Sequence, residues 1–409
     1  MGKEVLVVGA GPAGMTAAWS AACHGAEVLL LEAGTRPGRK LELTGNGRCN
    51  LTNLDAFNYE SPGYRRNGRF LIPALSAFGP ESVIHLLESN GVPVSVEDSG
   101  RVYPESQRAA DVVTALLRAL QSRGVDVHLE ESVKAVSPEG QVITTSRTYR
   151  PDSVILATGG LSYPQTGSTG RGLHIARSLG HSIEPVYPSI VPVIVSERWV
   201  KELAGVTLPD VAVRLLREDG KTLARWRGGL LFTHNGLSGP AVLEIGEDAA
   251  RALYEGNSPS LCVNPFPEYT PAEFRQHVLG ALKRAGRRKV RHALSAFLPR
   301  ALVEHLLSAE GIPLDVTCAQ LSRQYREAIL PALYTIRFHV IGTLGIRSAT
   351  VTSGGVSVKE VDPRTCRSKL APFLYFAGEI LDITGRSGGY NLQAAFSTGY
   401  LAGLSAARP

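Results

Sequence analysis

The feature that most constrains this chain is Gly9-Ala10-Gly11-Pro12-Ala13-Gly14, which follows the apolar run Val5–Val8 and opens a small-residue, helix-compatible stretch from Met15 to Cys23. A strand that stops at glycine and turns straight into a helix gathers backbone amides and the positive end of the helix dipole at one point, where phosphates bind. Glycine serves the tight turn, the close approach of a pyrophosphate and the packing of helix on strand. Val28–Leu31 reads as a second buried strand and Glu32 ends it, where a carboxylate accepts the ribose hydroxyls of a dinucleotide and disfavours a 2′-phosphate. Strands this uniformly apolar belong to a parallel sheet covered on both faces. The six residues from Gly9 to Gly14, with Glu32 and Ala33, are therefore candidate cofactor ligands.

Three later segments extend the pattern. Ser153–Leu156 is another buried run, followed by Ala157-Thr158-Gly159-Gly160. Leu374–Ala377 leads into Gly378-Glu379-Ile380-Leu381-Asp382, and Gly388-Gly389-Tyr390-Asn391-Leu392 opens a last helix to about Leu404. Their order is that of a flavin-binding domain, in which amides at the last helix's start face the flavin and stabilise negative charge. Ala157, Thr158, Gly159, Gly378, Glu379, Asp382, Gly389, Asn391 and Leu392 join the cofactor set, with Val133 on a short strand between.

The expected fold is α/β. A Rossmann-like FAD-binding domain is built from both termini, over 1–187 and 350–409. A β-rich domain over 188–268 and 331–349 and a helical subdomain over 269–330 are inserted. The alternation in Val211–Leu216 and Leu223–Leu231 predicts antiparallel sheet. Residues 270–326 read as helical, Leu333–Val340 as extended, and Asp126–Leu129, Val133–Val136 and Val142–Thr145 as one small β piece.

Five scattered cysteines with no Cys-x-x-Cys pair exclude a disulfide framework, a zinc site and a dithiol centre, and no metal is expected. No run approaches the roughly 18–20 apolar residues of a membrane span, and the first residues read as a strand and not an export leader. The expectation is a cytoplasmic protein with no membrane and no obligate protein partner. The net charge is +6. From Arg275 to Arg300 the chain carries eight cations and no acid. That run reads equally as a solvated helix face or as a phosphate-binding surface, and Lys283, Arg284, Arg287, Arg288, Lys289 and Arg291 are the RNA-contact candidates.

The loop Thr44-Gly45-Asn46-Gly47-Arg48-Cys49-Asn50-Leu51-Thr52-Asn53, preceded by Gly38-Arg39-Lys40, is too polar for a core element. It resembles the BaiN/RdsA family of FAD-dependent oxidoreductases. So do Gly100–Ser106, Phe232–Pro240, Thr352–Val356 and the span from Ala377 to Gln393, from one end of the chain to the other. The resemblance implies tightly held FAD, with Arg39, Lys40, Gly45, Arg48, Cys49 and Asn50 lining the cofactor. It also implies reduction of a carbon–carbon double bond, either uridine in large-subunit ribosomal RNA or a bile-acid-like small molecule. The basic run favours RNA. In the implied cycle NADPH or NADH reduces the flavin, which passes hydride to an electron-poor carbon while an acid supplies the proton. Cys49 and His234 are the candidate acids, and Arg386 is a candidate partner for a substrate carbonyl. Gly167-Ser168-Thr169-Gly170-Arg171-Gly172 has the wrong spacing for a second dinucleotide turn, so the nicotinamide is expected only as a transient donor. On the residues alone, a non-catalytic RNA-binding flavoprotein and a flavin monooxygenase remain open.

Overall fold

The structure is a computed structural model describing residues 2–57 and 63–408. It divides into two compact units, Met1–Tyr187 with Ala349–Pro409, and Pro188–Ser348.

In the first unit, β1 (Glu4–Val8) runs into α1 (Pro12–Cys23) and then β2 (Glu27–Leu31). With β3 (Asp126–His128), β4 (Ser153–Leu156) and the strand Leu374–Phe376 they form a five-stranded sheet. Its order is β3, β2, β1, β4, Leu374–Phe376, and every pairing is parallel. Val5 to Val8 are all buried, as a strand covered on both faces requires. The register sets Val8 beside Leu156 and Leu156 beside Phe376. Gly9, Ala157 and Ala377 therefore leave the sheet at one carboxyl edge, where open α/β sheets bind ligands.

The C-terminal helix Tyr390–Ala407 lies directly on α1. A Cβ on Gly399 would stand 2.3 Å from the Ala13 carbonyl oxygen, and one on Gly403 would stand 2.1 Å from that of Ala17. This close approach ties the last helix to the first.

One element of this unit differs from expectation. Asp126–His128 is not part of the small β piece but the edge strand of the main sheet, with Asp126 opposite Leu29. Its single apolar residue, Val127, suffices because an edge strand has one partner. The small antiparallel sheet consists of Val133–Val136, Val142–Thr144 and Thr148–Tyr149.

The second unit contains a closed six-stranded barrel: β5 (Val193–Val195), β6 (Thr207–Leu216), β7 (Thr222–Thr233), β8 (Gly236–Ser238), β9 (Ser260–Asn264) and β10 (Ile336–Thr343). The order around it is β5, β8, β7, β6, β9, β10. Alternation shows along β6, where Val211, Val213 and Leu215 are buried and Arg214 is exposed. The helices Pro271–Ala285, Val290–Leu294, Arg300–Ala309 and Arg323–Tyr334 share one apolar core with the barrel, Phe274, Leu302 and Ile329 belonging to the same cluster as Val213, Leu261 and Phe338. A capping box between Thr270 and Glu273 starts the first of these helices. The last continues through Pro331 to Tyr334, so Leu333, expected in a strand, is a buried helical residue.

Candidate functional site

The glycine turn after β1 makes a cradle. Gly11 caps α1 with no side-chain hydrogen bond, and a Cβ built on it would meet nothing within 4 Å. Gly14 has no such freedom, since its Cβ would lie 1.8 Å from the Gly9 carbonyl oxygen. The first turn of α1 thus offers uncapped amides to open space, while the glycine behind it lets the helix press on the strand.

Glu32 orders the rim of this cradle. Its carboxylate accepts from the Ala10 amide at 2.8 Å and the Gly34 amide at 2.7 Å. Each oxygen keeps a second acceptor position, and the side chain is half-buried, so ribose hydroxyls can still be held there. Ala33 beside it is exposed. Arg39 donates to the Gln165 carbonyl at 2.7 Å.

Lys40 reaches across to the C-terminal segment. Its ammonium pairs with Glu379 at 2.5 Å and donates to the Ser162 hydroxyl at 2.6 Å. The other Glu379 oxygen accepts from the Thr352 amide at 2.7 Å and from Ser162 at 3.0 Å. Thr352 Oγ1 in turn accepts from the Leu161 and Ser162 amides. Ser162 and Thr352 carry no glycine signature, and sequence reasoning missed their part in this network. Gly378 packs where a Cβ would fall 2.7 Å from that of Ala13. Gly159 turns with φ +69 beside Ser168, and Thr158 lies against Gly172.

Asp382 is buried, and its Oδ2 accepts from Arg66 Nε and Asn67 Nδ2, both at 2.9 Å. Burial pushes its carboxyl upward against the pull of Arg66. Arg66 and Asn67 were likewise missed. Asn391 staples the turn before the last helix, donating to the Gly385 carbonyl and accepting from the Gly385 amide, each at 2.8 Å. Arg386 is held within that turn: its amide donates to the Gly63 carbonyl at 2.7 Å and its carbonyl accepts from Asn391. Turned so that both amide atoms are paired, Asn50 accepts from the Gly389 amide and donates to the Thr52 carbonyl, each at 3.1 Å. Leu392 is half-buried, and the Val133 carbonyl lies 3.5 Å from Arg171.

The remaining residues are placed differently. Gly45 and Arg48 are exposed, with the Arg48 guanidinium over the Tyr103 ring. Cys49 is fully buried, and desolvation raises its thiol to about 12 despite a hydrogen bond from Thr44. A thiol so poised is a poor acid at neutral pH. His234 lies in the second unit, exposed in the two-residue turn between β7 and β8. In the basic run, Lys289 pairs with Asp315 at 2.5 Å and Arg291 with Glu304 at 3.3 Å. Arg275 and Arg300 are likewise paired, with Glu327 and Glu304. Lys283, Arg284, Arg287 and Arg288 are exposed and, among the described residues, have no ion-pair partner.

A parallel sheet with an uncapped glycine turn, a strand-end acid and a second acid network at the same carboxyl edge defines a Rossmann-type dinucleotide-binding protein. The chain belongs to the HI0933-like family, whose Rossmann-domain model matches residues 3–405. It is 35% identical to the 3-dehydro-bile acid delta(4,6)-reductase of Clostridium scindens over 99% of both chains. It is 33% identical to the ribosomal RNA dihydrouridine synthase of Escherichia coli, over 97% of this chain and 96% of that one. The corresponding synthase of Haemophilus influenzae is 31% identical over 99% of both. Among solved structures, the 3-ketosteroid delta1-dehydrogenase of Sterolibacterium denitrificans has the same fold, with a TM-score of 0.51 at 13% identity over 98% of each chain.

Proposed function

We propose that this protein is an FAD-dependent reductase that converts uridine to dihydrouridine in large-subunit ribosomal RNA, with NADPH or NADH as a transient electron donor. The open cradle at Gly11, the rim acid Glu32 and the Lys40–Glu379 pair at one sheet edge fit an elongated dinucleotide cofactor. Bound FAD supplies hydride transfer to the electron-poor carbon of a conjugated double bond. Around it, α1 amides hold phosphate charge, Glu32 orients ribose, and Lys40, Ser162 and Glu379 fix the cofactor's polar chain. The start of the C-terminal helix, which has no side-chain cap, would meet negative charge on the bound cofactor with amides and a favourable dipole. Arg386, held by backbone bonds on both sides, takes the role of carbonyl contact. His234 is the better candidate acid, since it is exposed at a turn whereas Cys49 is enclosed. In this reading residues 1–187 and 350–409 carry the flavin chemistry, the inserted residues contact RNA, and the protein acts in the cytoplasm.

The observation that carries the RNA substrate is the cluster Lys283, Arg284, Arg287 and Arg288, four exposed cations within six residues and, among the described residues, without acidic partners. Unpaired cations in a run cost electrostatic self-repulsion that a polyanion relieves. The second reading, reduction of an unsaturated steroid-like acid, rests on the 35% identity to the bile-acid reductase. The two are separated by presenting the holoenzyme with undermodified ribosomal RNA and, separately, with a 3-oxo-4,6-diene steroid acid, and scoring dihydrouridine and saturated steroid by mass spectrometry. RNA product supports the first reading, and steroid product alone replaces it with the second.

A further inference from the structure

The barrel carries a row of arginines that no site residue explains. Arg225 on β7 stands directly opposite Arg214 on β6. Arg214 is opposite Cys262 on β9, and Cys262 is opposite Arg337 on β10. These four residues form one line across four neighbouring strands. Directly opposed residues share a face, and the neighbours along each strand, Val213, Leu215, Leu261, Val263, Ile336 and Phe338, are buried in the interior. The line therefore lies on the outer face, where its three arginines are exposed while Cys262, between Arg214 and Arg337, is buried. With strands about 4.8 Å apart, Arg225 and Arg214 are adjacent and Arg337 lies roughly 10 Å beyond Arg214.

Like charges directly opposite on paired strands destabilise a sheet, so such a row needs a compensating anion. Among the described residues no carboxylate supplies it. Asp210 and Glu268 are taken by Arg227, Asp219 by Arg217 and Glu197 by His339. Glu218 accepts from the Ser258 amide. Among the described residues, none of the three arginines has a carboxylate partner, while the charged groups beside them are paired.

We propose that Arg214, Arg225 and Arg337 form a phosphate ladder that docks the sugar–phosphate backbone of RNA on the outer face of the barrel. This deepens the RNA reading above and rests on it. Planar guanidinium forks match phosphate oxygens two at a time. The line contains no aromatic side chain on which bases would stack, so it holds the backbone and reads no sequence. It also lacks the apolar anchors that carry protein–protein interfaces.

The test compares the holoenzyme with its R214Q/R225Q/R337Q and R214K/R225K/R337K variants. Binding to a labelled transcript of unmodified large-subunit RNA is followed by fluorescence anisotropy at several salt concentrations. The glutamine variant is expected to bind at least ~10-fold more weakly, with a log–log salt slope smaller by roughly 2–3. The lysine variant is expected to keep the parent's slope. A glutamine variant with the parent's affinity and slope overturns the proposal, as does a lysine variant whose salt slope falls as far as the glutamine variant's. So does a parent enzyme that binds no RNA. Binding is read without turnover, so failure to form dihydrouridine sinks the proposed function and leaves the ladder to be judged by its own data.

Discussion

Lys40 and Glu379 lie 339 positions apart in the chain and meet at 2.5 Å, joining the loop after β2 to the turn after the strand Leu374–Phe376. About a fifth of each side chain is exposed, so the pair is partly desolvated and held by further bonds to Ser162 and Thr352. A double-mutant cycle with Lys40→Met and Glu379→Gln, read by urea unfolding, is expected to give a coupling energy of about 1–3 kcal/mol. Additive losses would mean that the pair is incidental.

Gly11 and Gly14 belong to one motif and differ in what lies around them. Gly14→Ala drives a Cβ into the Gly9 carbonyl and is expected to cost about 1–3 kcal/mol of stability. Gly11→Ala meets no protein atom and is expected to leave unfolding within about 0.5 kcal/mol of the parent. Its effect falls on the cofactor, with FAD affinity down at least ~10-fold, equivalent to about 1.4 kcal/mol. Calorimetric titration of apoprotein with FAD, beside thermal unfolding, separates the two.

Cys49 is expected to be inert. Its thiol is enclosed and raised to about 12, so a maleimide should label the half-buried Cys23 and Cys318 in the native protein and spare Cys49. Cys49→Ala should lower stability by about 1–2 kcal/mol through the lost packing while turnover of FAD-loaded enzyme stays near the parent's. A loss of turnover with full flavin content would restore it as the acid.

His181 makes stability pH-dependent. Its side chain is fully buried, donating or accepting at Ser368 Oγ (2.8 Å), with Glu360 3.3 Å from its other ring nitrogen. Burial depresses its pKa, only partly offset by Glu360. The unfolded chain therefore takes up the proton first. The stabilisation is complete above the ordinary histidine value of about 6.5 and is lost as pH falls through it towards the depressed folded value. Glu360, itself shifted downward although burial opposes the shift, gives the same sign at lower pH. The urea midpoint should drop on acidification from pH 7 to 5.5, and less in His181→Gln.

The first unit was legible because its signals are local. A strand, glycine turn, helix and strand-end acid are contiguous, and uniformly apolar strands announce a covered parallel sheet. What was not legible depends on long-range register. Ser162 and Thr352 acquire meaning only through Glu379, and Arg66 and Asn67 only through Asp382. The basic run showed as a count of charge, but its division into paired and unpaired cations depends on where Asp315, Glu304 and Glu327 fall. Alternation in β6 and β7 announced antiparallel strands, whereas the arginine row needs the register between them.

The account's central claim, reduction of RNA by a flavin held at the β1 edge, is tested most directly by single-turnover reoxidation. The FAD-loaded protein is reduced chemically under anaerobic conditions and mixed with unmodified large-subunit RNA while the visible flavin absorbance is followed. The account predicts that the oxidised band returns with RNA containing the target uridine and that one dihydrouridine appears per flavin reoxidised. A band that returns with an unsaturated 3-oxo steroid acid but stays bleached with RNA would contradict it.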